Sequence, residues 1–582
     1  MSSQTGWRWC YLCQGLFYSG NPTPGVCPSN GTAGHSIQTF PFFVDWNFAV
    51  LFGDNIGGAQ AGWRWCRKCQ GFFFGGNPGS VCPAGQAHDG SESGHYALQF
   101  GDSVPGTQGH WRWCRKCQGL FNAGNVSQGV CPADKSIHDG SSSGQYGVPW
   151  QNPTTSFDSG TGSNSISIGG NPADCNLAVS STHVCVTARS AFACYTKAGQ
   201  LVSPGPGFAA RPYTVKEFFE QNGISTILSV NGDSNTAKDG RVVFDINRKR
   251  FFMVFQSREA TGRLLIAVSK SEDPSDGWFA YADVVGSPGE LTHDYQWVGV
   301  NSNNLLVSDN MVSSFGGSFT RTRHLMYSAA DLASGNGVNR GEWWNVGAQS
   351  AVPCVHNSPC TDAFWVHRDD GSHASVWAVR NGNVSTVQFS IQAGSGPLVA
   401  PQQAGTVDYT RIGQAPQSAQ YRDGKIVFVT NDGTTWPGQP NPNSAVHLVR
   451  LDVSKFFNSP QSVTVEIDRL YGLNCPAEDP PGSVFDYGWP AVATNQNGDI
   501  VVGSVRCNPG IFTQLRASVW YRNQPDISPS MLIAQSQSAL SQFHMAGACA
   551  DPTSEGVYLA QQFGVANAAW QIRVVKMLDY PL

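Results

Sequence analysis

The chain of 582 residues is predicted to be all-β, a C-terminal β-propeller preceded by an array of three small cysteine-rich β modules. Three observations predict this. Glycine is abundant at 65 residues and aromatics reach 11%, while charged residues make up only 13%. That balance suits short strands and tight turns better than helices. A cysteine-rich segment recurs three times before residue 150. Beyond residue 175, apolar runs of period 2 alternate with Asp-Gly, Asn-Gly and glycine-rich turns.

Composition also excludes several classes. The length exceeds what one hydrophobic core serves, so more than one domain is expected. The formal charge of −5 is spread along the chain, so electrostatic capture of nucleic acid is not expected. No run approaches the ~18 apolar residues of a membrane span. Apolar content of 40% argues against disorder. The opening MSSQTGWRWC has neither the basic nor the apolar region of a secretory signal.

The repeat is read from Trp7-Arg8-Trp9-Cys10-x-x-Cys13-Gln14-Gly15-Leu16-Phe17. It returns at Trp63–Phe73 and again at Trp111–Phe121. Each copy runs through a Gly-Asn pair to Val-Cys-Pro at Cys27, Cys82 and Cys131. The modules are assigned to 1–55, 56–104 and 105–150, followed by a Gly/Ser/Thr/Asn-rich linker over 151–173.

Three cysteines cannot pair off within one module. Adding the next histidine gives C-x2-C-x13-C-x7-H, C-x2-C-x12-C-x5-H and C-x2-C-x13-C-x6-H. These sets are Cys10, Cys13, Cys27 and His35; Cys66, Cys69, Cys82 and His88; and Cys114, Cys117, Cys131 and His138. Four soft ligands, two on a C-x2-C knuckle, suit a structural zinc ion. A disulfide with a leftover thiol is the competing reading. His35 lacks the His-Asp-Gly-Ser context of His88 and His138, so its site is expected to be distorted or completed by another ligand. Trp7, Trp9, Trp63, Trp65, Trp111 and Trp113 have two readings as well. They are either a buried core or an exposed platform for stacking on sugar rings, repeated for avidity.

The remaining chain, 174–582, divides into seven units of roughly 58 residues, the size of four-stranded propeller blades with long loops. Six or eight blades are the neighbouring counts, and a pair of β-sandwiches is the competing architecture. The units centre on 177–199, 241–255, 294–308, 361–366, 418–430, 486–502 and 544–560. The strings Arg241-Val-Val-Phe-Asp-Ile-Asn-Arg-Lys-Arg250-Phe-Phe, Ile266-Ala-Val-Ser-Lys-Ser-Glu-Asp-Pro274 and His293-Asp-Tyr-Gln-Trp-Val-Gly-Val300 resemble secreted bacterial β-propeller proteins of the sialidase/BNR-like superfamily. So do Asp309-Asn-Met311 and Trp570-Gln-Ile-Arg573-Val-Val-Lys576. The resemblance implies a propeller fold over about 175–582. It does not carry sialidase activity, because no arginine triad or Tyr-Glu pair can be placed.

The eight cysteines of this half suggest disulfides and an extracellular setting. The expected pairs are Cys185 with Cys194, Cys354 with Cys360, Cys475 with Cys507, and Cys175 with Cys549, the last clasping the ring. Asp294, Asp362 and Asp486 open apolar runs at similar offsets. They are the candidate catalytic residues or calcium ligands of one channel mouth, and blade-capping groups on the other reading. No phosphate-loop, HExxH or nucleophile-elbow pattern is present, and no organic cofactor is expected. Three function classes fit: a glycan- or polysaccharide-binding protein, a propeller-type glycoside hydrolase or lyase with accessory modules, and a structural or partner-binding surface protein.

Overall fold

The computed structural model describes residues 3–578 apart from 22, 24, 37–46, 103–106, 125–126, 150–154, 160–165, 167–172, 225–236, 258–261, 286–291, 313–317, 346–349, 412, 460, 473–478, 480–482, 523, 529, 541–545 and 566–569. Packing divides the chain after Asn152, with a second unit beginning at Pro153.

Each N-terminal repeat supplies three strands. They are Ser3–Trp9, Leu16–Tyr18 and Asn47–Phe52; Ala59–Trp65, Phe72–Phe74 and Tyr96–Phe100; and Thr107–Trp113, Leu120–Asn122 and Tyr146–Pro149. All nine belong to one sheet, because the third strands pair with one another: Leu51 opposite Ala97, and Gln99 opposite Gly147. Isolated bridges Phe17–Gly71, Phe73–Gly119 and Phe121–Gly15 join repeat one to two, two to three and three back to one. The array of three repeats is therefore a closed ring.

Its core is aromatic. Trp7, Trp63 and Trp111 are fully buried, and their contacts cross repeat boundaries. Trp7 meets Phe72 at 4.7 Å, Trp63 meets Tyr146 at 5.4 Å and Phe48 meets Trp111 at 5.4 Å. Trp9, Trp65 and Trp113 are half-buried against the same cluster. The platform reading is thus corrected for Trp7, Trp63 and Trp111, while Trp9, Trp65 and Trp113 end their strands half-buried. A residue in the middle of a strand whose neighbours all press inward has no face left for a ligand.

Among the described residues the second unit contains seven antiparallel blades, six of four strands and the first with a fifth short strand, Tyr213–Thr214, beside its third. Their innermost strands are Asn176–Val179, Ala237–Asp245, Thr292–Val300, Val352–Pro353, Pro416–Arg422, Asp486–Thr494 and Gly547–Ala550. Val355–His356 bridges the innermost strands of blades three and five in parallel. Large aliphatic and aromatic side chains fill the spaces between blades, as in Phe252, Val254, Val307 and Leu325. A short helix, Val215–Gln221, starts with a capping box between Thr214 and Glu217.

Ring closure differs from expectation. The last blade contributes Gly547–Ala550, Val557–Gly564 and Trp570–Met577, and its outer strand is Thr155–Asp158. Thr155 to Asp158 pair with Lys576 to Arg573, and the Ile572 amide donates to Ser159 Oγ at 3.1 Å. Arg573 Nη2 also donates to Asp158 Oδ2 at 3.0 Å. Part of the expected linker is thus the strand that closes the ring, and Ile166 beyond it is fully buried.

No disulfide clasp is present. Cys175 Sγ donates to the Ala560 carbonyl at 3.5 Å, while Cys549 Sγ donates to its neighbour Ala550 at 3.4 Å. Burial pushes both thiols up to about 12. Cys185 and Cys194 face each other across paired strands with sulphurs 3.1 Å apart, as thiols. Cys354 and Cys360 are also thiols, and Cys507 lies 3.5 Å from Tyr409 Oη. Cys475 lies outside the described residues.

Two outcomes follow from this closure. A fragment holding one repeat, 56–104, stays unfolded by circular dichroism with or without zinc, because Trp63 loses the Tyr146 ring that covers it, while 1–152 folds. Deleting 153–159 lowers the melting temperature of the full chain markedly, since about four backbone hydrogen bonds at ~1 kcal/mol each are lost. Cys549→Ser leaves that temperature almost unchanged.

Candidate metal centres

The C-x2-C turn is built by backbone hydrogen bonds. Gln14, Gln70 and Gln118 donate their amides to Cys10, Cys66 and Cys114 at 2.7, 2.8 and 2.8 Å. The same cysteines donate back to Gly15, Gly71 and Gly119 at 2.9 to 3.0 Å. Each glutamine sits at positive φ, 62°, 65° and 69°, a costly conformation for a residue with a Cβ. Its side chain explains why glycine does not replace it. Gln70 Oε1 accepts from Trp65 Nε1 at 3.2 Å and Gln118 Oε1 from Trp113 Nε1 at 2.9 Å. These glutamines carried no role in the sequence reading, although their recurrence in all three copies was the available signal.

The turn places the two knuckle sulphurs beside the third cysteine and the histidine. In each repeat the four ligand atoms lie within 4.8 Å of one another. The first and third cysteine sulphurs are 3.8 Å apart in every copy. The second cysteine lies 3.5, 3.5 and 3.6 Å from Nδ1 of His35, His88 and His138. A tetrahedral zinc with Zn–S of ~2.3 Å and Zn–N of ~2.0 Å requires edges of about 3.8 and 3.6 Å. A disulfide requires ~2.05 Å. The donor set fits zinc.

Surrounding groups agree. The amides of Ser36, Asp89 and Asp139 donate to Cys10, Cys66 and Cys114 at 3.4, 3.3 and 3.4 Å, which favours thiolate. Hydrogen bonds from the other two cysteines hold the first thiol of each knuckle far below its ordinary range and the second well above it. Without a cation, three thiolates in such proximity repel. Each histidine ring is stacked on a phenylalanine: Phe17, Phe73 and Phe121 at 4.7, 4.6 and 4.8 Å. His35 is therefore placed like the other two, and the expected distortion of the first site is corrected. Four protein ligands leave no position for substrate, so the arrangement can staple but not catalyse.

The carboxylates do not form the expected ring. Asp486 begins an innermost strand, and Asp294 lies near the start of another. Asp362 precedes the second strand of its blade, which runs antiparallel, so it sits at the opposite mouth. There Asp362 is paired with Arg380, Nη2 to Oδ2 at 2.6 Å. The Asp294 side chain lies outside the described residues. Asp486 accepts from the Ser444 amide of the preceding blade at 2.8 Å and from Asn443 at 3.4 Å, a capping role. Burial raises its carboxyl above the usual carboxylate range. Other charges at this mouth are paired internally, as in Arg368–Asp432 at 2.6 Å with His447 at 3.1 Å from the same oxygen. Among the described residues no carboxylate cluster gathers for calcium. A cavity among the innermost strands is lined by Asn176, Arg241, Trp297, Gln417 and Gln420.

No protein-family model matches the chain, and no curated protein matches it. Solved structures align weakly. Trypanosoma rangeli sialidase bound to 2,3-difluorosialic acid aligns at TM-score 0.30 and 9% identity, over 58% of this chain and 53% of that one. The chain thus spans about half the length of that sialidase. Penicillium chrysogenum α-L-arabinanase bound to arabinobiose gives 0.31 and 10%, over 56% and 89%. A polysaccharide lyase of family PL25, an ulvan lyase, gives 0.27 and 11%, over 72% and 84%.

The Asp486 environment yields a pH dependence. A carboxyl raised in the folded state stabilises it below the unfolded pKa of ~3.9, and that contribution is lost as pH rises through the folded value. Asp486→Asn keeps the acceptor for Ser444 and removes the ionisation. The variant is expected to melt higher than the parent at pH 7, with the difference shrinking as pH falls toward 4 in a thermal melt series.

Proposed function

We propose that the protein recognises carbohydrate, through an N-terminal ring held by structural zinc together with a propeller. The observation that carries this reading is a pair of exposed phenylalanines at equivalent ends of the third strands in repeats one and two. Phe52 and Phe100 are 46% and 54% exposed, in a ring whose central aromatics are buried. Phe52 packs on Tyr96 of the next repeat at 5.4 Å, and Phe100 on Tyr146 at 5.6 Å. Gly94 and Gly144 lie beneath, where a Cβ would come 2.5 and 3.4 Å from those rings. The tyrosine hydroxyls donate to Gln4 and Gln60. A flat ring beside neutral hydroxyl and amide groups suits the C–H face and hydroxyls of a neutral pyranose better than an ion. Two sites on one rigid ring suit a repeating polymer.

The seam between repeats three and one departs from the pattern. Phe48 stands where Tyr96 and Tyr146 stand and has no hydroxyl, and Gln108 accepts from Trp111 Nε1 at 3.0 Å instead. Trp150, at the position equivalent to Phe52, lies outside the described residues. Phe52→Ala with Phe100→Ala is expected to lower affinity for a recognised polysaccharide at least about tenfold, through lost avidity, with an unchanged melting temperature. Equal retention of parent and variant on a glycan array and on insoluble polysaccharides excludes these rings as the site.

Hydrolysis or elimination by the propeller is a second reading, favoured by one observation: Asp486 holds a raised carboxyl at the mouth where the innermost strands begin. Turnover of a polysaccharide panel by the parent, lost in Asp486→Asn, supports it. Turnover unchanged in that variant removes Asp486 from the chemistry.

A further inference from the structure

The backbone links between repeats converge on the metal knuckles. Tyr18 of repeat one donates its amide to the Gln70 carbonyl at 2.8 Å, on the knuckle of repeat two. Phe74 of repeat two donates to Gln118 at 2.9 Å, on the knuckle of repeat three. Asn122 of repeat three donates to Gln14 at 2.9 Å, on the knuckle of repeat one. The circle is complete, and every acceptor is the glutamine that follows the second metal-ligating cysteine.

A second set of contacts runs the same way. Val26 donates to the Cys69 carbonyl and Val81 to the Cys117 carbonyl, each at 3.3 Å. In the third seam Gly129 lies so close that a Cβ would stand 2.1 Å from the Cys13 carbonyl. Asn21 and Asn77 donate to the side chains of Gln70 and Gln118 at 2.7 and 3.1 Å. His35 also reaches the next site, its Nε2 lying 3.1 Å from the Cys69 carbonyl. Through that bond a ligand of site one is oriented by a ligand residue of site two.

We propose that the three Cys3His sites take up and release zinc as one cooperative unit, each ion fixing the knuckle to which the preceding repeat is bonded. This rests on the zinc reading above. Loss of one ion frees three thiolates and a histidine, two of the thiolates lying on a turn held at positive φ, and that turn carries the seam to its neighbour. The preceding repeat then loses the bonds to that turn made by its second strand and by the residue just before its own third cysteine, as Tyr18 and Val26 make them to Gln70 and Cys69. Because the ring has no end, the effect passes to all three sites. The coupling is a free energy shared among distinct sites, and the device that transmits it is the closed set of seams.

Native mass spectrometry of the full chain during titration with a chelator tests this. The expected spectrum passes from three zinc ions to none, with the two-ion and one-ion species scarce at every chelator concentration. Stepwise loss through well-populated two-ion and one-ion species overturns the coupling and leaves zinc binding intact. Absence of zinc from protein purified without chelator, and failure of added zinc to bind, overturns the zinc reading and the coupling with it. Alkylation mapping gives a site-resolved arm. In Cys131→Ser, which removes a ligand of site three only, Cys66, Cys69 and Cys82 should be alkylated at least tenfold faster than in the parent. Gly129→Ala keeps every ligand and crowds the third seam, and should speed alkylation at site two as well. Parent-like protection of Cys66, Cys69 and Cys82 in Gly129→Ala overturns the proposal.

Discussion

Closure is the constraint on which both units depend. Each is a ring of short antiparallel elements that cannot bury its apolar face alone, and each would otherwise end in an open strand edge. Such edges invite aggregation and forfeit hydrogen bonds. In the N-terminal unit the bond from Asn122 to Gln14 brings the third repeat back to the first. In the second unit Thr155–Asp158 returns the start of the domain to Arg573–Lys576 near its end. Neither closure uses a covalent bond. Backbone pairing suffices because each seam is backed by buried apolar packing, Trp7 against Phe72 in the ring and Val575 against Leu559 in the last blade.

Much of the fold was legible because periodicity reports burial. Runs such as Arg250–Ser257 and Lys425–Thr434 are the second strands of blades, and the count of seven units matches the seven blades among the described residues. The metal-ligand spacing was legible for a related reason. A C-x2-C turn has few geometries, so a third cysteine and a histidine at fixed distances in three copies constrain one another. What remained hidden was pairing between distant segments. Nothing in Thr-Ser-Phe-Asp at 155–158 distinguishes an edge strand from a linker, because its partner lies more than 400 residues away. The expected clasp between Cys175 and Cys549 failed on the same ground. Proximity of blades one and seven was right, but Cys175 and Cys549 each bond to a different carbonyl.

The platform reading of Trp7, Trp63 and Trp111 and the shared-mouth reading of the aspartates failed for a different reason, whereas their alternatives as core and as blade cap describe Trp7 and Asp486. Alternation along a strand shows which residues share a face, not whether that face is covered. Trp7, Trp63 and Trp111 share a face that points at the ring axis, where each is covered by the neighbouring repeat. Asp362 and Asp486 share an offset from an apolar run, but the runs are a second strand and a first strand. Antiparallel pairing sends their ends to opposite mouths.

The distribution of aromatics then bears on where recognition can occur. A small ring needs its largest side chains for stability, and its central tryptophans are spent there, together with three clusters of thiols that draw no ligand but metal. Surface left for binding lies where strands end, because a terminal side chain is covered on one side only. Phe52 and Phe100 occupy such ends, over glycines that leave the ring unobstructed. Their position is fixed by the pairing of one repeat with the next, Phe52 opposite Tyr96 and Phe100 opposite Tyr146. On the proposed reading, metal bound at the knuckles would bear on recognition indirectly. It would hold the seams, the seams set the register of the third strands, and that register places each phenylalanine over the tyrosine of its neighbour.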